Sequence, residues 1–221
     1  MRVIIKKFML FLWLTLIYQT LIFVIFVPQI YSNAIYMIYL LMVYTISLAD
    51  TLVRPWTEER NPSRKYEILI LLVFLLTPFF LIATYFENIL LIAPLVPFWN
   101  SIIVAYIGFV IYLAAGIMVI IARTQLGRFG SGELITVEDH QLSTEGIYRY
   151  IRHPMYSGSL IGVIGFCFIF RSLITMLVLV VFYFIVFRMR INEEERILLE
   201  KFGDVFIKYK NSTKKLVPFI Y

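Results

Sequence analysis

The sequence predicts an all-α, polytopic integral membrane protein. It should have about six transmembrane helices, with a C-terminal helical hairpin, a cytoplasmic tail helix and no Rossmann domain. Three observations carry this. Of the 221 residues, 61% are hydrophobic, more than a soluble domain of this length can cover with polar surface. The apolar residues come in unbroken blocks rather than periodic stripes. The basic residues fall almost entirely on one side of the topology those blocks define.

The blocks run over 8–27, 34–53, 66–86, 99–121, 155–170 and 172–187. The first four are long enough to cross a hydrocarbon core of about 30 Å. The first is too long for a signal-peptide core and is followed by no small-residue cleavage site, so it reads as a retained helix. Pro78 should kink the third. Gly108, Gly116, Ala114 and Ala115 give the fourth a small-residue face suited to close helix packing. The last two are shorter, are separated only by Arg171, and should form a tight hairpin. The single cysteine, Cys167, lies within an apolar block and reads as a small buried residue; no metal cluster of cysteines exists.

The net charge of +6 matters through its placement. Six spans put Arg2, Lys6 and Lys7 on one side, together with Arg54, Arg60, Arg64 and Lys65. Arg123, Arg128, Arg149, Arg152 and the remaining eight bases from Arg188 onward join them. Only Arg171 falls opposite, and the opposite loops hold one acid, Glu87. The positive-inside rule therefore places both termini in the cytoplasm. The membrane would be the plasma membrane of a prokaryote or the endoplasmic reticulum of a eukaryote. Membrane lipids are the expected surroundings, and no nucleic-acid partner is expected.

Two polar regions, 122–153 and 188–221, are large enough for chemistry, and the hairpin should bring them together. Residues 1–121 read as an N-terminal four-helix membrane region and 122–221 as the catalytic region. Pro154 suits the first turn of a helix, with His153 near its N-cap, so the entrance of the fifth segment should offer backbone N–H groups to an anion or ligand. Gly158 permits close approach of a backbone or ligand. Arg149 and Arg152 read as interfacial anchors to lipid headgroups. Arg190 and Glu194, four apart, share a helix face, while Glu195 lies about 100° further round, toward Leu199 and Phe202.

The stretch "HQLSTEGIYRYIRHPMYSG", followed by a hairpin and "EERILLEKFGDVFIKYK", resembles the isoprenylcysteine carboxyl methyltransferase family over roughly the last ninety residues. The resemblance implies transfer of a methyl group from S-adenosylmethionine (SAM) to the carboxylate of a lipid- or isoprenoid-linked acceptor that enters from the bilayer. It implies that SAM is held by His140, Gln141, Leu142, Ser143, Tyr148, His153, Pro154, Met155, Tyr156 and Glu194. Arg190 matches the arginine used toward the substrate carboxylate. No metal is implied. Ser143 stands where the family often has valine, and the family's upstream glutamine is not carried over because Glu133 replaces it. Three other readings stay open: a phospholipid N-methyltransferase acting on ethanolamine headgroups, an NADPH-dependent sterol-reductase-like enzyme, and a non-catalytic lipid-binding protein. Arg190 favours an anionic acceptor over the first. Met155 and Ser159 depart from the reductase motif.

Overall fold

The computed structural model describes residues 5, 8, 9, 12–54, 64–127 and 142–216. Among these the secondary structure is helical, and the one extended pairing is an isolated parallel bridge between Ile151 and Lys214. A π-helical segment, Trp13–Tyr18, runs into α1 (Gln19–Phe26). The turn Pro28–Ser32 leads to α2 (Ala34–Val53), whose N-terminus is capped by Asn33 accepting from Ile35 N at 3.0 Å. Next, α3 (Arg64–Glu87) passes through Pro78 and continues as a π-helical turn, Asn88–Ile92, to Leu95. The chain goes on as α4 (Ile102–Leu126), α5 (Pro154–Ile169), α6 (Ile174–Phe202) and α7 (Asp204–Ser212).

Four helical stretches are long and apolar enough to cross a membrane: α2, Leu75–Leu95, α4 and α6. Leu16–Phe26 and Pro154–Ile169 are apolar but shorter. The outer faces are hydrocarbon-like: Phe98, Leu95, Leu52 and Leu41 are each at least 68% exposed. Patches of this kind would drive association in water but suit a bilayer. The second arm of the hairpin and the tail helix expected after it are one continuous helix, α6. The separate tail helix is α7, which begins after Gly203.

Glycine sets the closest helix contact, between α4 and α5. A Cβ on Gly108 would stand 2.5 Å from Ile169 N and 2.7 Å from Gly165 O, and one on Gly165 would stand 2.6 Å from Tyr112 N. The two backbones therefore touch, which any larger residue forbids. The space at Gly158 is taken by α4 too, since a Cβ there would meet Val119 Cγ2 at 2.7 Å and Ala115 O at 3.1 Å. Beside this seam lies an aromatic core. Tyr36 stacks on Phe170 at 4.8 Å, and Tyr39 packs against Phe166 and the edge of Phe170. Cys167 is buried in it, as an apolar residue would be.

The α5–α6 turn is held by polar groups. Arg171 adopts a left-handed φ of 56°, with its Nη1 donating to Asn100 O at 3.2 Å and its Nη2 to Tyr36 Oη at 3.4 Å. Glu87, at the end of α3, reaches across to the start of α6. Its Oε1 accepts from Leu173 N and Ile174 N, both at 2.7 Å, and its Oε2 from Thr175 N at 2.8 Å. A helix start leaves such N–H groups unpaired and carries partial positive charge, so a carboxylate from outside the helix satisfies both needs. The Glu87→Ala substitution should lower the stability of the detergent-solubilised protein by about 2 kcal/mol, read as a fall in thermal midpoint. Glu87→Gln, which keeps one acceptor, should cost less.

Candidate functional site

The sequence places Pro154 at the first position of α5 and His153 at its N-cap, and the structure has both there. The expected anion cradle is mostly used up internally, because Tyr156 N and Ser157 N both donate to His153 O at 3.1 Å. The turn before α5 is fixed instead by the chain's C-terminal strap, residues 213–216. Arg152 N donates to Lys214 O at 2.8 Å, His153 N to Lys215 O at 3.1 Å, and Lys214 N to Tyr150 O at 3.3 Å. Ser157 Oγ donates to Leu216 O at 2.5 Å.

Against this turn lie the last turns of α6, beyond its apolar stretch. Arg190 is buried, and its Nε donates to Tyr156 Oη at 2.6 Å. Tyr156 Oη in turn donates to Glu194 Oε2 at 3.1 Å. One phenol thus joins the guanidinium and the carboxylate that share this helix face. The Tyr156 ring packs on Phe187 at 5.1 Å, which gives the polar line an apolar floor. His153 lies between the two consecutive glutamates. Its Nδ1 is 3.7 Å from Glu194 Oε2 and its Nε2 is 3.2 Å from Glu195 Oε1.

The two glutamates have different surroundings. The Glu194 side chain is 30% exposed and opens away from the protein interior, whereas that of Glu195 is 8% exposed. Glu195 Oε1 accepts from Arg152 Nε at 3.1 Å, while Oε2 is 3.3 Å from Lys210 Nζ and 3.6 Å from Lys215 Nζ. Glu195 lies on the Leu199 side of α6, as helical geometry requires, but it is enclosed where Leu199, one turn on, is exposed, because the turn and strap supply the cations that a buried carboxylate requires. The reading of Arg152 as a headgroup anchor is corrected. Its Nη1 donates to Lys210 O at 2.9 Å and also to Thr213 O, closing the C-terminal end of α7, and its side chain is 7% exposed. Arg149 is exposed, as an interfacial residue would be.

Tyr148 is buried, with its hydroxyl donating to Ala122 O at 3.2 Å and its carbonyl accepting from Tyr209 Oη at 2.7 Å. Burial pushes the pKa of both phenols up, more than their charged neighbours change it, so both remain donors. Leu142 and Ser143 border a polar cleft of about 570 Å³ with Gln125, Leu126 and Gly146. Gln125 Oε1 accepts from Ile147 N at 2.9 Å and so holds the cleft's rim to α4. Pro154 is buried and Met155 half-buried at the start of α5. His140 and Gln141 lie outside the described residues. The structure therefore gathers His153, Tyr156, Arg190 and Glu194, sets Leu142 and Ser143 in the cleft, and turns the Tyr148 hydroxyl to α4. The sequence did not single out Lys210, Lys215, Thr213 or Gln125.

A second, mainly apolar cavity, of about 330 Å³, runs between the helices, with Ser159, Gly162, Phe166 and Tyr183 among its lining. At its polar end Asp50 pairs with Arg54 at 2.8 Å and with Arg123.

Apolar helices long enough to cross a bilayer, ending in a cluster of two carboxylates, an imidazole and guanidinium groups, define an all-helical integral membrane protein with a polar site at one end of its helices. The sequence profile of the isoprenylcysteine carboxyl methyltransferase family matches residues 106–200. A probable protein-S-isoprenylcysteine O-methyltransferase of Oryza sativa subsp. indica is 32% identical over 133 residues, 59% of this chain and 68% of that protein. The chain belongs to the isoprenylcysteine carboxyl methyltransferase family. Protein-S-isoprenylcysteine O-methyltransferases of Schizosaccharomyces pombe and Arabidopsis thaliana (form B) are 34% and 36% identical over 83 residues. Those matches cover 38% of this chain but only 35% and 42% of the two relatives. The solved structure of a eukaryotic intramembrane Ras methyltransferase superposes with a TM-score of 0.64 at 24% identity, covering 95% of this chain and 74% of that one; it shares the fold.

Arg152→Leu should destabilise the protein by about 3 kcal/mol, since it strips a partner from a buried carboxylate and uncovers the carbonyls ending α7. Thermal or denaturant unfolding in detergent reads this directly, with Arg149→Leu as the near-neutral control.

Proposed function

We propose that the chain is a SAM-dependent membrane methyltransferase that esterifies the carboxylate of a lipid- or isoprenoid-linked acceptor. The observation that carries this is the Arg190–Tyr156–Glu194 line: a cation suited to a carboxylate and an anion suited to a cationic donor, joined through one phenol. Family membership supports the reading, as do the relatives' names, which describe O-methylation of isoprenylcysteine.

The residues present fit SAM. That molecule carries a sulfonium and an ammonium. The Glu194 carboxylate is negative, partly open, and held by Tyr156 beside His153. The cleft at Leu142 and Ser143 is polar, and these two residues belong to the expected SAM contacts. When bound, SAM supplies an electrophilic methyl group for in-line displacement by an oxygen nucleophile. An ionised carboxylate needs no general base to attack, so the protein's work is alignment and exclusion of water. Arg190 holds the acceptor carboxylate with its planar fork. Tyr156 fixes Arg190 relative to Glu194, which keeps the acceptor and donor subsites in register. Phe187 and Ile191 keep water from this face. The lipid portion of the acceptor enters from the bilayer, and the apolar cavity beside Ser159 and Tyr183 gives it room.

In the same reading the chain crosses the membrane six times with both termini cytoplasmic, and 122–221 is the catalytic region carried on a membrane scaffold of 1–121. The one-sided placement of the bases supports this. Cytoplasmic termini put the cluster where soluble SAM reaches it.

The purified protein in lipid nanodiscs, given methyl-labelled SAM, should label an N-acetylated S-prenylated cysteine as a base-labile methyl ester. Labelled phosphatidylethanolamine in its place would overturn the carboxylate reading. Arg190→Lys should cut transfer at least tenfold by losing the bidentate fork. By calorimetry, Glu194→Ala should weaken SAM binding by about ten- to a hundredfold, in keeping with loss of a charged partner. Wild-type protein that bound no SAM would defeat the enzyme reading altogether.

A further inference from the structure

We propose that Glu195 is a positioning residue of this site: it sets the His153 imidazole against Glu194 and ties the C-terminal strap over the His153 turn, so that the cofactor wall stands formed before the cofactor arrives. The inference rests on the SAM-binding reading above and adds a residue to it.

Glu194 and Glu195 are neighbours in sequence but project about 100° apart on α6. One is partly exposed, at 30%, and the other is enclosed, at 8%. His153 spans them with one ring nitrogen toward each carboxylate, at 3.7 Å and 3.2 Å. The ring's place beside Glu194 is thus set from behind by Glu195. Both oxygens of Glu195 are engaged. Oε1 takes Arg152 and His153, from the turn that opens α5, and Oε2 takes Lys210 and Lys215, from the end of α7 and from the strap. The strap in turn holds the backbone of that turn, at Arg152 N and His153 N. One carboxylate therefore fastens α6, the turn and the strap to one another.

Removing its charge takes from Arg152, Lys210 and Lys215 the carboxylate that they share among the described residues, and Arg152 is itself enclosed. An uncompensated buried charge is costly, so the strap should swing away and release the turn. A site whose wall must then be ordered on binding holds its ligand more weakly than one already formed.

The test uses the full chain in nanodiscs with three variants: Glu195→Gln, Glu195→Asp and, as control, Glu200→Gln, whose carboxylate is exposed and pairs only with Arg196 among the described residues. Two quantities are read: the SAM dissociation constant by calorimetry, and the rate of tryptic cleavage within Lys210–Lys215 without SAM. Glu195→Gln should raise the dissociation constant about tenfold or more and speed cleavage of the strap. Glu195→Asp should recover most of both, and Glu200→Gln should change neither. A strap that is cut faster while SAM affinity stays at the wild-type value would show a purely structural role and overturn the proposal. So would an aspartate variant that recovers nothing. If Glu195→Gln does not fold, Glu195→Gln/Lys210→Met/Lys215→Met removes the surplus cations together with the anion, and wild-type affinity in that protein would overturn the proposal equally. Loss of SAM binding in the wild type defeats the proposed function itself. Unchanged binding in the variants alone defeats only this inference.

Discussion

A carboxylate enclosed at the end of an apolar helix needs its charge answered by the protein, because little solvent is at hand to do it. Glu195 is in that position, and four donors from three separate segments answer it. Much of the polar end of the molecule follows from this. The turn before α5 is drawn to α6 through Arg152 and His153. The strap is drawn in through Lys215, and α7 through Lys210. Arg152 then serves a second need by capping the carbonyls that end α7. An arginine beside an apolar run reads naturally as a lipid anchor, but here the buried acid competes for it and wins, because the guanidinium has donors enough for both partners.

The opposite end of the hairpin is built on similar logic with the polarity reversed. There the unmet groups are the backbone N–H donors that open α6, and Glu87 reaches over from α3 to accept three of them. Between the two ends, the glycine contact of α4 with α5 leaves little freedom to slide, since backbone meets backbone at Gly108 and Gly165. The hydrogen bonds linking Tyr156 on α5 with Arg190 and Glu194 on α6 set a second register, that of α5 against α6. A slip of one helical turn, about 5.4 Å, would break both. Polar fastening at the ends and close packing between them hold these side chains in one arrangement, as the proposed alignment of donor and acceptor requires.

A large part of this was legible in the residues. The apolar blocks foretold the helices, although the chain's own continuity merged the last block with the tail into α6. Pro154 marked the start of α5 because a proline at that position loses no helical hydrogen bond. The four-residue spacing of Arg190 and Glu194 put them on one face, but only the packing of α5 against α6 brought Tyr156 between them. Glycines 108 and 116 announced a close contact without naming the partner. The partner proved to be α5 at the first and Ile46 of α2 at the second. Lys210 and Lys215 resembled any solvated basic tail, and nothing in their spacing tied them to an acid fifteen or more residues earlier.

By itself the sequence determined the helical class, the apolar segments and the motifs that mark the family, because each of these depends on composition or on spacing along a single element. The tertiary structure decided which of two adjacent glutamates faces inward, which arginine is enclosed, and what residues 213–216 fasten. Helical periodicity fixes the angle between Glu194 and Glu195, but not which of them meets the turn. That choice depends on the cations packed against α6, and these come from segments far apart in the chain.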